Sequence, residues 1–171
     1  MNSKWCAFLL TLMTLGTATL TNSVNAAEFK SYQIKAVYIF RIANFVRWNN
    51  EQQMENLSFC VIGDKQIEGV LKTIIKDKVI RGLNLQLVKA GKSNSCDIVY
   101  LSSDQNLTML DNFDDHTLTI SDKAGFAQKG GVIELKSAGK KIKPRISINN
   151  AHLDEYTIGS NLLRIAVMED K

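Results

Sequence analysis

From Phe29 onward the chain alternates stretches of helical periodicity with short, almost wholly apolar runs. That alternation restricts it to folds in which a largely parallel sheet is covered by helices, because strands buried on both faces lose the polar positions of a half-exposed strand. Phe29 to Trp48 has no Gly or Pro and carries Ala36, Ile39, Phe40, Ala43 and Val46 at helical spacing, which predicts one long helix. Leu57 to Ile62 reads as a buried strand closed by Gly63-Asp64, and Ile67 to Ile75 returns to helical spacing. Leu83, Leu85 and Leu87 alternate with Asn84 and Gln86 as a half-exposed strand. After a turn at Gly91 to Ser95, Asp97 to Leu101 and Thr117 to Ile120 are further strands, with a short helix near Gln105 to Leu110 between them.

Beyond Gly130-Gly131, which should supply positive φ at a strand entry, Val132 to Lys136 and Lys141 to Ile148 are expected to pair as an antiparallel hairpin. Pro144 lacks an N–H and argues that the second run is an edge strand. Ser160 is the expected N-cap of a final helix whose apolar face is Leu162, Leu163, Ala166 and Val167. The fold class is therefore α/β: a single domain with a mixed, partly parallel sheet flanked by helices and an antiparallel hairpin at one edge. A composition of 45% hydrophobic and 22% charged residues excludes a disordered chain. A formal charge of +4 is too small to point to nucleic acid.

Residues 1–26 read as an address. Lys4 precedes an apolar stretch from Trp5 to Leu20, too short and too diluted by threonine to span a bilayer, and Val24 and Ala26 set a cleavage site after Ala26. The folded domain would then be residues 27–171, exported and without a membrane span. Removal of the leader takes Cys6 away and leaves the pair Cys60 and Cys96. An even pair in an oxidising compartment favours a structural disulfide over two buried thiols, and the lack of a CxxC spacing disfavours a redox couple. Closing so long a loop restricts the unfolded chain by roughly 4 kcal/mol in the chain-entropy model.

Catalytic patterns are missing from the sequence. His116 and His152 have no metal-ligand spacing, Asp114-Asp115 reads as a solvated turn, and no nucleophile elbow, phosphate loop or dinucleotide fingerprint occurs. No catalytic residue, metal or cofactor is expected. Two surface features stand out. On the first helix Gln33, Arg41, Asn44 and Arg47 share a sector with Val37, Phe40 and Trp48, a mixture of Arg and aromatics typical of protein interfaces, although a covering C-terminal helix would make the aromatics core. Lys136, Lys140, Lys141, Lys143 and Arg145 cluster about the hairpin, either guarding a sheet edge against aggregation or attracting an anionic surface or acidic partner. Gly63 and Asp64, at the carboxyl end of a strand, give a third option, a small-ligand crevice of a periplasmic binding protein.

The succession Lys35-Ala36-Val37-Tyr38-Ile39-Phe40, Asn44-Phe45-Val46 and Trp48, then Phe59-Cys60-Val61-Ile62-Gly63-Asp64, resembles the opening of the YfiR family. Cys96 to Leu101, Leu118 to Asp122, Gly130 to Ile133, Ile146 to Asn149 and Ser160 to Ala166 are similar to its later blocks, in order. The chain departs at Asn49, where the family commonly has Pro, and at Ser147, where it usually has an acidic or larger residue. The resemblance implies a periplasmic, non-enzymatic regulator that represses an inner-membrane diguanylate cyclase (YfiN-like) by contacting its periplasmic part. It also implies release by an outer-membrane OmpA/Pal-like lipoprotein (YfiB-like), a homodimeric state, and an influence on cyclic di-GMP and biofilm formation.

Overall fold

The computed structural model describes residues 29–90, 96–138 and 141–169. The leader expected at 1–26, the Gly91 to Ser95 turn and Lys140 lie outside the described residues. The elements are α1 (Ser31–Phe45), β1 (Val46–Trp48), β2 (Asn56–Ile62), α2 (Lys65–Ile75), β3 (Val79–Ile80), β4 (Leu83–Leu87) and β5 (Ile98–Leu101), followed by β6 (Leu118–Ser121), β7 (Ile133–Ala138), β8 (Lys141–Ile146), β9 (Tyr156–Ile158), α3 (Ser160–Ile165) and β10 (Val167–Met168). An eight-stranded sheet runs in the order β10-β8-β7-β6-β5-β2-β4-β3, beside a two-stranded ribbon of β1 and β9. Strands β4, β2, β5, β6 and β7 are mutually parallel, β3 is antiparallel to β4 and β8 to β7, and β10 is parallel to β8, so the fold is the expected single α/β domain with a mixed sheet.

Every residue of β5 and β6 is buried, which explains why these runs show no alternation. On one face Phe59, Ile98, Tyr100, Leu118, Ile120 and Ile133 join Ala36, Ile39, Ala43, Ile67 and Leu71 of α1 and α2 in the main core. On the other, Cys60, Cys96, Val99, Leu101 and Phe126 form a smaller core, with Leu107, Leu110 and Phe113 packed against it. Cys60 and Cys96 are disulfide-bonded with their Cα atoms 5.7 Å apart, linking β2 to the entry of β5, its hydrogen-bonded neighbour.

Four local expectations change. The first helix stops at Phe45 instead of Trp48, and Val46–Trp48 turns extended to pair with β9. Val46 and Trp48 are buried and Arg47 exposed, a strand alternation too short to break the helical pattern visible in the sequence. The segment near Gln105 to Leu110 is a 3₁₀ helix at Leu107–Asn112 whose Asn106 side chain accepts the Thr108 N–H. The second hairpin strand, β8, is not the outermost: β10 pairs with Arg145 and Ile146, which leaves Pro144 just outside the covered segment, where its missing N–H costs no ladder bond to β10. The final helix is one short element capped by Gly159, and Val167 belongs to β10 with its side chain exposed.

The glycine pair also divides its labour. Gly130 has the expected positive φ of 97°, whereas Gly131 does not; a Cβ there would stand 2.1 Å from the Phe126 ring. Gly131 is therefore glycine for room, and Gly130 for conformation.

Candidate functional site

Helix α1 is entered through Lys30, whose backbone N–H donates to Gln33 Oε1 at 2.8 Å. It buries Ala36, Ile39, Ile42 and Ala43, and the Tyr38 hydroxyl ties it to the sheet by donating to the Ile142 carbonyl at 2.9 Å. Its end is fixed by a residue far away in sequence. Arg81, in the tight β3–β4 turn with φ 51°, donates to the carbonyls of Ala43 (3.3 Å), Asn44 (3.4 Å) and Val46 (2.8 Å), so a cation caps the negative end of the helix. The same guanidinium grips Glu51 through Nε at 2.9 Å and through Nη2. Burial pushes the Glu51 carboxyl up, but Arg81 and the Trp48 N–H together hold it below the usual carboxylate range.

Gly159 completes the turn. Its N–H donates to the Phe45 carbonyl at 2.7 Å, and a Cβ there would lie 2.8 Å from that oxygen, so the α1–β1 junction and the entry to α3 are in direct backbone contact. Helix α3 is thereby set beside α1. Between them lies an open groove of about 410 Å³ lined by Tyr38, Phe40, Arg41, Ile42, Asn44, Phe45, Leu162 and Ile165. Ile165 at its edge is 57% exposed, and Val167 and Met168 of β10, which follows α3, are also exposed.

The structure sorts the seven residues of the expected stripe, of which Gln33 is half-buried in the first turn of α1 with its side chain accepting the Lys30 N–H. Arg41 and Asn44 are exposed and Val37 and Phe40 half-buried on α1, so these four share the helix surface. Arg47 is exposed but on β1, opposite Thr157. Trp48 is 3% exposed: its indole N–H donates to the His116 carbonyl at 2.9 Å, and its ring lies 6.1 Å from that of Tyr156. Trp48 is thus core beneath the surface, not part of it. Arg41 makes no ion pair or side-chain hydrogen bond among the described residues, while Lys78 stands 6.0 Å above the Phe40 ring. Phe40 and Arg41 were legible from helical spacing; Arg81, Gly159 and Ile165, which shape the groove, carry no local signal beyond Arg81 preceding a glycine.

The Gly63-Asp64 turn lies where the sheet order reverses, β2 leading to β4 on one side with β5 on the other, the position at which open α/β sheets bind ligands. Here several of its polar groups are engaged within the chain. Asp64 Oδ1 accepts the N–H groups of Gln66 and Ile67, both at 2.9 Å, and caps α2; the Gln105 side chain lies over Gly63; Lys123 Nζ donates to the carbonyls of Ser103 (2.8 Å) and Gln105 (2.9 Å). Gly63 itself has φ 90°, which suits the turn.

At the opposite ends of the strands the two histidines find carboxylates. His116 Nε2 is 2.9 Å from Asp97 and its Nδ1 3.7 Å from Glu155, and His152 Nδ1 is 3.3 Å from Asp115. Asp97 also accepts the Ser58 N–H at 2.6 Å. The Asp97 hydrogen bond raises His116 above the usual imidazole range, against burial. Among the described residues no three His, Cys, Asp or Glu side chains converge in a way that would hold a metal ion. Asp114 and Asp115 face different partners, Thr117 and His152, and do not form a couple. On the hairpin Lys136, Lys141 and Lys143 are exposed, with Lys136 directly opposite Lys143, while Arg145 is paired with Glu169 at 2.7 Å. No described helix is long and apolar enough to cross a membrane.

A comparison with protein families matches the YfiR/HmsC-like family model to residues 32–167, from the first turn of α1 to β10. None of the curated proteins matches the chain.

Proposed function

Since the chain belongs to the YfiR/HmsC-like family, we propose that it is a periplasmic regulator of diguanylate cyclase signalling, acting by protein contact and not by catalysis. The match across residues 32–167 carries this reading, because it takes in both cores, the disulfide and the α1–α3 groove. In finer terms, the protein represses an inner-membrane diguanylate cyclase by contacting its periplasmic part, and an outer-membrane OmpA/Pal-like lipoprotein relieves the repression by sequestering it. Repression lowers cyclic di-GMP and biofilm formation. Val37, Phe40, Arg41 and Asn44 form the contact surface, with Arg47 beside them and Trp48 supporting the junction from beneath. The Cys60–Cys96 bridge suits an oxidising compartment, and the exposed apolar side chain of Ile165 at the groove's edge supports a binding role.

The test is intracellular cyclic di-GMP in a strain deleted for this gene. Deletion should raise it, and the wild-type chain should restore the low level. No rise on deletion would remove the cyclase from the proposal.

A further inference from the structure

The groove between α1 and α3 has walls that restrict what can lie in it. Both walls are helices, with the last α1 carbonyls taken up by Arg81 and the Gly159 N–H, so the lining contains no strand edge, and its Tyr38, Phe40, Ile42, Phe45, Leu162 and Ile165 side chains are apolar. An extended peptide lying along that lining would bring its own unpaired backbone groups against it and find no strand among the lining residues, the edge strand β10 lying beyond them. A helix satisfies its backbone internally and offers side chains at i, i+3, i+4 and i+7 as anchors. The α1 portion of the groove, residues 38–45, is about 10 Å long at 1.5 Å per residue, the length of two helical turns.

Charge decides which helix. Arg41 lines the groove without an ionic partner among the described residues, and Lys78 stands over the ring of Phe40, itself a lining residue. Among the described residues, none that lines it is acidic. A second copy of this chain docked by two-fold symmetry would bring one cationic rim towards another, a like-charge contact that disfavours association. A partner of opposite sign removes that penalty and pairs Arg41, whose planar guanidinium suits a carboxylate.

We propose that this groove takes a short amphipathic helix with acidic residues flanking its apolar anchors, supplied by the periplasmic part of the regulated membrane protein. The assignment of the helix to that protein rests on the function proposed above; the shape and charge of the occupant rest on the groove alone.

The test therefore uses the purified oxidised chain and a probe independent of any cyclase. The probe is a fluorescein-labelled 18-residue helical peptide with leucines at i, i+3, i+4 and i+7 repeats and glutamates elsewhere, compared with the same peptide carrying lysines. Anisotropy at low salt should show the acidic probe binding at least about tenfold more tightly, a preference that salt weakens. Arg41→Glu should abolish or reverse that preference, Ile165→Asp should weaken both probes, and neither substitution should change the melting temperature, since both side chains are exposed. Lys143→Glu, on the hairpin, should leave the preference intact. Equal binding of the two probes, no binding of either, or an acidic preference that survives Arg41→Glu would overturn the inference. A normal peptide result with no change in cyclic di-GMP on gene deletion would instead overturn the proposed cyclase target and leave the groove's chemistry standing.

Discussion

Removing the Cys60–Cys96 bridge is the sharpest test of what holds the fold, because its expected effect can be worked from the chain. The bridge closes a loop of sequence separation 36 that contains α2, β3 and β4. The loop-closure relation gives about 13 cal/mol/K, or about 4 kcal/mol at room temperature, as the entropy that the cross-link removes from the unfolded state. Both sulfurs are buried, Cys60 at 1% and Cys96 at 5% exposure, so Cys60→Ala/Cys96→Ala avoids burying new hydroxyls and costs little packing. Urea unfolding of the oxidised chain and of this double variant should therefore differ by about 3 to 4 kcal/mol, which for a domain of this size is a fall of about 10 °C in melting temperature. The m-value should rise in the variant, because an uncross-linked denatured chain exposes more surface. The hydrogen bonds between β2 and β5, such as Asp97 N–H to the Ser58 carbonyl at 3.0 Å, remain in both proteins, so the native state should be the same. A loss below about 1 kcal/mol with an unchanged m-value would refute the argument, since it would mean that the denatured chain is no freer without the bridge.

Other perturbations follow from individual contacts. Arg81→Met should cost about 2 to 3 kcal/mol, leaving the Glu51 carboxylate and three carbonyls at the end of α1 without their cation; urea midpoints read this directly. Gly131→Ala should cost more than Gly130→Ala, about 2 to 3 against about 1 kcal/mol by thermal unfolding, because a Cβ at Gly131 enters the Phe126 ring whereas at Gly130 it strains only the backbone. Trp48→Ala should lower stability by about 3 to 5 kcal/mol, while Arg41→Ala leaves the urea midpoint within about half a kcal/mol. His116 contributes with a definite sign. Its folded pKa is raised by Asp97, so its stabilisation is full below the unfolded imidazole value near 6.5 and is lost as pH rises through the folded value; urea midpoints should fall as pH is raised above about 6.5, and His116→Gln should flatten that slope.

How much of this was legible in the sequence depends on the range of the interaction involved. The central strands were readable because burial on both faces leaves an apolar signature within a few residues, as at Leu57 to Ile62 and Asp97 to Leu101. The cysteine pairing was readable because compartment and parity leave one partner for each sulfur. The end of α1 was not. Val46 and Trp48 continue the helical pattern, and what converts them to strand is pairing with Ile158 and Tyr156, more than a hundred residues later. The β10 cap on β8 escaped for the same reason: two residues carry no period, and their pairing with Arg145 and Ile146 is settled by the three-dimensional arrangement. Spacing placed Phe40, Arg41 and Asn44 together correctly, since they lie within the helical part, and put Trp48 with them by extending the helix through a junction set from elsewhere.

That junction connects the fold to the proposed surface. Three distant groups meet at the last turn of α1: the Arg81 guanidinium on its carbonyls, the Gly159 N–H on Phe45, and β9 on β1. Each fixes where α1 ends, and the last two fix where α3 begins, so the width of the groove is determined by residues that do not line it. A change at Gly159 should therefore act on binding without touching any partner. Gly159→Ala places a Cβ 2.8 Å from the Phe45 carbonyl oxygen, and because that contact is backbone it can be relieved only by moving α3 away from α1. The acidic helical probe should then bind several-fold more weakly although Arg41, Phe40 and Ile165 are unchanged, and amide exchange at position 159 should be faster than that of Gly159 in the wild type, as the 2.7 Å bond to Phe45 lengthens. If Gly159→Ala weakened the fold yet bound the probe like the wild type, the groove would owe its shape to its lining alone, and the coupling between the β1–β9 ribbon and the binding surface would fail.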